Sequence, residues 1–174
     1  MHAKEFWKAV TLDRADFLGR LLATLEEHGV RYCLVGGQGV NAYVEPVVSL
    51  DLDIAVAIDE LPRITGLLRR TFSVVETFPH SLNVSESGSD LRVQIQTDPR
   101  YGSFVDRSTM ADVLGHRLPV AAVEDVLQDK VWAALDASRR ASKRQKDLAD
   151  IARLIERYPA LRSRVPEPLL AKLI

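Results

Sequence analysis

Cysteine is almost absent from this sequence. Its one example, Cys33, lies in the apolar run Tyr32-Cys33-Leu34-Val35. No disulfide framework and no cysteine zinc site can be built from it, and a buried packing thiol is the expected role. Long apolar runs are lacking too. No stretch of about eighteen apolar residues offers a membrane span. The first residues, Met1-His2-Ala3-Lys4-Glu5-Phe6-Trp7, have no apolar signal-peptide centre. A cytoplasmic chain with no membrane contact is expected. An excess of one charge is missing as well: 23 Lys and Arg face 24 Asp and Glu, a net charge of −1. That balance argues against a dedicated polyanion-binding protein but leaves room for local patches. The histidines, His2, His28, His80 and His116, are scattered and form no metal or catalytic cluster. No internal repeat or low-complexity linker is visible.

What is present reads as an ordinary globular chain. Its 174 residues, 47% hydrophobic and 27% charged, suffice for one domain with a proper core over 1–174. From Asp13 to His28, Phe17, Leu18, Leu21, Leu22 and Leu25 recur at helical spacing, and Gly29 closes the helix. A strand over 31–36, a short helix near 38–44 and a strand over 51–58 follow. Asp59 is placed to cap a helix reaching about Arg70, with Pro62 in its first turn. Further strands are expected at Phe72–Thr77, Ser81–Val84 and Leu91–Thr97, then mixed loop and short helix over 98–116, and a last strand at Leu118–Val123. Beyond Val123 the pattern is helical: 123–137, 142–157 and a weaker segment after Pro166. The fold class is therefore α/β, with a mixed β-sheet in 1–122 flanked by helices and a C-terminal helical tail, 123–174, packed back on it.

Asp51 and Asp53 stand in Ser49-Leu50-Asp51-Leu52-Asp53-Ile54, shortly after Val35-Gly36-Gly37. On a strand, side chains alternate faces, so both carboxylates share one face while Leu50, Leu52 and Ile54 enter a core. Keeping both ionised calls for a cation, and Mg²⁺ takes carboxylate and phosphate oxygens. The glycines allow close approach of a ligand to the backbone, ahead of a helix start that favours anions. The plainer alternative is a half-exposed strand whose two acids face solvent.

In this order, strand, Gly36-Gly37, short helix and Asp51-x-Asp53 resemble the minimal nucleotidyltransferase family with its polymerase-β-like fold. Glu124-Asp125-Val126-Leu127-Gln128-Asp129-Lys130, followed by Lys146-Asp147-Leu148-Ala149-Asp150-Ile151, resembles the later part of the abortive-infection and toxin-type branch. The resemblance runs from about Tyr32 to Leu154. It implies an enzyme that moves a nucleotide from an NTP to an acceptor hydroxyl on nucleic acid, protein or small molecule, with Mg²⁺ or Mn²⁺ held by Asp51 and Asp53. Gly36, Gly37 and Gln38 would lie on the triphosphate, although a plain helix-start role for Gln38 is equally open. Lys130 would contact the triphosphate, and Asp150 or Asp147 would serve as base or as orienter of that lysine. An RNA or protein acceptor and an antitoxin partner are implied by the resemblance alone.

Alternatives stand beside several of these roles. Lys130 lies among Val126, Leu127, Ala133 and Ala134, a position for a snorkelling side chain as well as for one in a cleft. Lys143 with Asp147, and Lys146 with Asp150, are spaced as plain helical ion pairs. The run 139–146 carries five basic residues in eight, either a solvated face or a phosphate-binding patch. Trp132 reads as core rather than as a base-stacking platform. The wider family's third carboxylate is missing: the polar face of Leu91–Thr97 shows Arg92, Gln94 and Gln96, with Asp90 and Asp98 at its ends. Asp98 is the candidate replacement, one metal is the safer expectation than two, and a catalytically degenerate fold that binds nucleotide or a partner is the rival function.

Overall fold

The computed structural model describes residues 3–173, so Met1, His2 and Ile174 lie outside the described residues. The strands are β1 (Tyr32–Val35), β2 (Asp51–Val56), β3 (Val74–Phe78), β4 (Ser81–Ser85), β5 (Arg92–Gln96), β6 (Thr109–Val113) and β7 (His116–Val120). They form one mixed sheet in the order β3-β4-β5-β2-β1-β7-β6. The helices are α1 (Ala3–Val10), α2 (Phe17–Glu27), α3 (Gly36–Asn41), α4 (Leu61–Thr71), α5 (Gly102–Asp106), α6 (Val123–Leu135), α7 (Ala141–Arg157) and α8 (Glu167–Leu170).

Strand alternation sorts the core into two layers. Leu52, Ile54 and Val56 of β2 meet Phe17, Leu21 and Leu25 of α2 and Ile64 and Leu68 of α4 on one face. Cys33, Val35 and Ala55 meet Val126 and Val131 of α6 and Ile151 and Leu154 of α7 on the other. No residue of β4 or β5 joins this second cluster. Their polar side chains on that face therefore line an open cavity instead of a core. β2 pairs antiparallel with β1, setting Asp53 opposite Val35. It pairs parallel with β5, setting Asp51 beside Arg92 and Asp53 beside Gln94.

Several expectations from the sequence are corrected. The second helix starts at Phe17 and not near Asp13, because the Asp13 carboxylate accepts the Phe17 and Leu18 N–H groups at 2.8 and 3.3 Å and so satisfies a helix start. Asp59 caps nothing; it pairs with Arg31 at 3.3 Å. The segment 98–116, expected to hold no strand, contributes β6, and β7 begins at His116. Leu114 and Gly115 both have positive φ, 56° and 77°, between Val113 and His116, which pair directly. That is the two-residue hairpin geometry usually announced by Asn-Gly, and Leu-Gly gives little sign of it. The helix α1, with Trp7 buried, has no counterpart in the sequence-based expectations. Among the described residues no helix is long and apolar enough to cross a membrane.

Candidate active site

The two acids of β2 share the face over which α6 and α7 lie. At the first residue of α3, Gly36 has φ +64°, and a Cβ there would overlap the Asp53 carboxylate. Only glycine fits this turn, for both reasons. A Cβ at Gly37 would meet nothing within 4 Å, since Gly37 borders an open cleft. Gln38 is placed elsewhere: its amide nitrogen donates to the Ser49 carbonyl at 3.2 Å and its oxygen accepts from Asn41 at 3.0 Å. The expectation of a phosphate contact from Gln38 is corrected; the side chain is 1% exposed and fixes the loop that leads into β2.

The two acids have different surroundings. Asp51 is held by Arg92 Nε and by Lys143 Nζ, each at 2.9 Å. Burial pulls its pKa upward, but the Lys143 hydrogen bond and the charges of Lys143 and Arg92 outweigh burial and leave it lowered. Among the described residues no hydrogen-bond donor reaches the Asp53 carboxylate. Burial first, then the negative charge of Asp129, push its pKa up to about 7 against the pull of Lys130.

Asp129 is a site residue missing from the sequence-based expectations. Its carboxylate accepts the Gly36 N–H at 3.0 Å and the Tyr101 hydroxyl, and burial raises its pKa despite Lys130 and these bonds. A signal was present, because position 129 lies three residues after the apolar Val126, on the same side of the helix. A third carboxylate thus approaches Asp53 from α6. On β5 the neighbour of Asp53 is Gln94, which donates to Ser81 Oγ at 3.2 Å. Asp98 does not fill the gap: it caps the Arg100 N–H at 2.9 Å and pairs with the Arg100 guanidinium.

Lys130 does not snorkel. It is 7% exposed, with Nζ 2.8 Å from Asp150 and 3.2 Å from Asp147. Burial works against its charge, yet Asp150, Asp129 and Asp147 hold its pKa above the ordinary value. Asp147 is buried and also takes both arms of Arg139 at 2.8 and 3.1 Å. Asp150 pairs with Arg153 at 2.7 Å, and Arg153 reaches Asn41 and the Glu45 carbonyl. The simple helical pairs Lys143–Asp147 and Lys146–Asp150 are replaced by these longer-range contacts. The basic run is divided in the same way: Arg139 and Lys143 pair with acids of the site, Arg144 donates to the carbonyls of Asp136 and Arg139, and Arg140 is exposed.

Around these groups lies a cavity of about 830 Å³, lined among others by Asp51, Asp53, Gln94, Asp129 and Lys143. A cleft of about 220 Å³ adjoins it, bordered by Gly37, Lys143, Lys146, Asp150 and Arg153. Trp132 is half-buried on the cavity wall and not in the core proper. It stacks on Phe104 with ring centroids 5.6 Å apart and planes 5° apart, and Arg100 lies 4.5 Å over its ring.

The donor set fits a divalent ion in part. Asp53 offers an unengaged carboxylate oxygen pair beside Asp51, which suits a hard cation. Among the described residues no group of three or more His, Cys, Asp or Glu is arranged to hold a metal alone. An ion held by Asp51 and Asp53 would need its remaining oxygens from water or substrate.

No family model matches the chain, and no curated protein matches it. Solved structures do. The antibiotic-resistance factor ANT(2'')-Ia is similar over 84% of this chain and 90% of its own, at 13% identity and TM-score 0.56. The lincosamide antibiotic adenylyltransferase LnuA, solved with lincomycin, is similar over 79% and 95%, at 15% identity and TM-score 0.54. An antigenic nucleotidyltransferase-like protein from Paracoccidioides brasiliensis is similar over 86% and 75%, at 19% identity and TM-score 0.52. At these identities the likeness is one of fold. The mixed sheet flanked by helices is the nucleotidyltransferase fold.

Proposed function

We propose that this chain is a nucleotidyltransferase that moves a nucleotide from an NTP to an acceptor hydroxyl, with Asp51 and Asp53 holding Mg²⁺ or Mn²⁺. One observation carries the reading: a carboxylate without a donor, Asp53, stands beside Asp51 where Gly36 must be glycine. In the reaction the acceptor oxygen bonds to the α-phosphorus, the bond to the bridging oxygen breaks, pyrophosphate leaves and the hydroxyl proton is released. The metal supplies Lewis-acid neutralisation of phosphate charge.

The chain's own residues contribute placement and charge. Gly36 and Gly37 allow the triphosphate to approach the backbone. Lys143 and Lys146 border the adjoining cleft as cations for its phosphates. Lys130 contributes a permanent positive charge beneath Asp53 and Asp129. Asp147 and Asp150 orient that lysine, and Asp150, already paired twice, fits a positioning role better than that of the base. Residues 1–122 supply the acids and glycines, and 123–174 the lysines, so the chain works as one cytoplasmic unit.

Labelled NTPs with Mg²⁺ or Mn²⁺ test the reading directly. Transfer to any acceptor by the wild type, and none by Asp51→Asn with Asp53→Asn, is the expected result. Gln94 beside Asp53 favours a second reading, a degenerate fold that binds nucleotide or a partner without transfer; NTP binding with no transfer under any condition selects it. The toxin role and an antitoxin partner rest on the resemblance of the Lys130 and Lys146-Asp147-x-x-Asp150 elements. Growth arrest on expression, relieved by the neighbouring gene and absent in the double mutant, tests them.

A further inference from the structure

The start of α3 is capped from outside its own segment. A helix leaves its first N–H groups without intrahelical partners, and Val35, at the cap position, has no side-chain oxygen to offer. The Gly36 N–H donates instead to Asp129 Oδ2 at 3.0 Å, 93 residues away on α6. The other oxygen of that carboxylate accepts the Tyr101 hydroxyl. Both oxygens of Asp129 are thus engaged by protein donors. Tyr101 is placed by a turn of its own. Asp98 caps the Arg100 N–H at 2.9 Å, and its carbonyl accepts the Tyr101 N–H at 3.1 Å. The Tyr101 ring meets Phe104 and Trp132 edge-on, with centroids 5.2 and 5.6 Å apart. Asp129 and Tyr101 are both buried, and a buried acceptor that loses its donor bears the full cost of desolvation.

We propose that Asp129 and Tyr101 are positioning residues of the nucleotide site and act through Gly36. The inference rests on the nucleotidyl-transfer reading and adds two side chains whose polar atoms are turned to the protein. Gly36 stands in the left-handed region against the Asp53 carboxylate, so closely that an added Cβ would overlap it. A turn seated that tightly places Asp53 and Gly37 together. If Gly36 rotates out, the carboxylate gains room and Gly37 leaves its place at the edge of the cleft. The contacts run in one chain: the Tyr101 hydroxyl orients the Asp129 carboxylate, the carboxylate holds the Gly36 N–H, and the turn holds Asp53 and Gly37. Burial, and then the charge of Asp129, push the Tyr101 pKa above its ordinary value, so the hydroxyl stays protonated as a donor. A cap with no part in the site would lend stability and leave the affinity of the folded protein alone. A positioning pair also sets the affinity for triphosphate, since a misplacement of about 1 Å costs up to about a hundredfold in such sites.

The test uses the full chain, three variants and two readouts. Isothermal titration gives the affinity for Mg²⁺–ATP, and the Gly36 amide resonance of the nucleotide-free protein reports its hydrogen bond. Tyr101→Phe keeps the ring against Phe104 and Trp132 and removes the donor. It should weaken Mg²⁺–ATP binding by about fivefold or more and shift the Gly36 resonance. Asp129→Leu removes the acceptor and should weaken binding by at least about tenfold. Asp129→Asn can turn its oxygen to Gly36 and its amide to the Tyr101 oxygen, so it should stay within about threefold of wild type. The inference is overturned if folded Tyr101→Phe or Asp129→Leu binds Mg²⁺–ATP as wild type does. It is overturned equally if Asp129→Asn falls as far as the leucine variant, or if Tyr101→Phe leaves the Gly36 resonance in place. Should Asp129→Leu not fold, the other two variants decide. A wild type that binds no Mg²⁺–ATP would refute the nucleotidyltransferase reading and this inference with it, whereas wild-type binding that the variants leave untouched refutes the positioning roles alone.

Discussion

Lys143 Nζ lies 2.9 Å from Asp51 Oδ2, an ammonium seated on one of the two carboxylates assigned to the metal. A cation bound there would compete with the lysine for Asp51. Lys143→Met should raise the affinity for Mn²⁺ alone, read by the free-ion resonance signal, and lower the affinity for Mn²⁺–NTP, because the same ammonium is a phosphate partner once displaced. A parallel change in both affinities would show that Lys143 acts through one of them only.

Asp51→Asn with Asp53→Asn should abolish Mg²⁺-dependent NTP binding. The effect on stability is small and has two parts. The Asp51→Asn change loses ion pairs to Arg92 and Lys143 that, half-exposed, contribute about 0–1 kcal/mol. The Asp53→Asn change removes a buried charge beside Asp129. Denaturant midpoints within about 1 kcal/mol of wild type, together with unaltered Mg²⁺–NTP affinity, would exclude the metal assignment.

The raised pKa of Asp53, about 7 against about 3.9 in the unfolded chain, has a definite sign. Between these values the folded state binds the extra proton, so metal-free stability falls as pH rises from about 4 through 7. The slope is bounded by about 1.4 kcal/mol per pH unit for one proton. Urea midpoints from pH 5 to 8 should decline in the wild type and flatten in Asp53→Asn.

The adjacent glycines should separate. Gly36→Ala forces a Cβ into Asp53 at positive φ and should cost about 1–3 kcal/mol from backbone strain alone. Gly37→Val meets no protein atom, so it should fold normally, yet it should weaken NTP binding by standing in the cleft. An unchanged NTP dissociation constant in folded Gly37→Val would reduce the second glycine to a turn residue.

Lys130→Met is not the benign change that a snorkelling lysine would allow. It leaves Asp147 and Asp150 with Arg139 and Arg153 as their remaining partners, and breaking a buried pair costs up to about 3–5 kcal/mol. Stability should fall by about 2 kcal/mol or more and transfer by orders of magnitude. Asp150→Asn, which keeps Lys130 paired through Asp147, should lose less of both. Wild-type transfer by a folded Lys130→Met protein would remove Lys130 from the mechanism.

Periodicity made the centre of this molecule readable from its sequence. The alternation of Leu52 and Ile54 with Asp51 and Asp53 fixed the face on which the two acids stand, and Gly36-Gly37 marked the turn beside them. The sheet and the two long C-terminal helices followed from the same local patterns. What stayed hidden was long-range partnership. Nothing local joins Lys143 to Asp51, or Asp129 to Gly36 across 93 residues, and nothing in Gln38 tells that Ser49 and Asn41 will occupy both ends of its amide. β6 escaped because Leu114-Gly115 carries weak turn chemistry. The polar rows of β4 and β5 gave no sign that α6 would leave them uncovered.

The strand order has a consequence for how such a protein changes over generations. The acids sit on β2, in the middle of the sheet, while Glu76 and Asn83 sit on the terminal hairpin of β3 and β4, tied to the rest chiefly through β5 and α4. Substitutions in that hairpin reshape the far wall of the cavity without touching the strand that carries Asp51 and Asp53. A duplicated copy is thus free to vary that wall while keeping its two acids, and the residues of the hairpin should diverge among descendants sooner than those at the centre of the sheet.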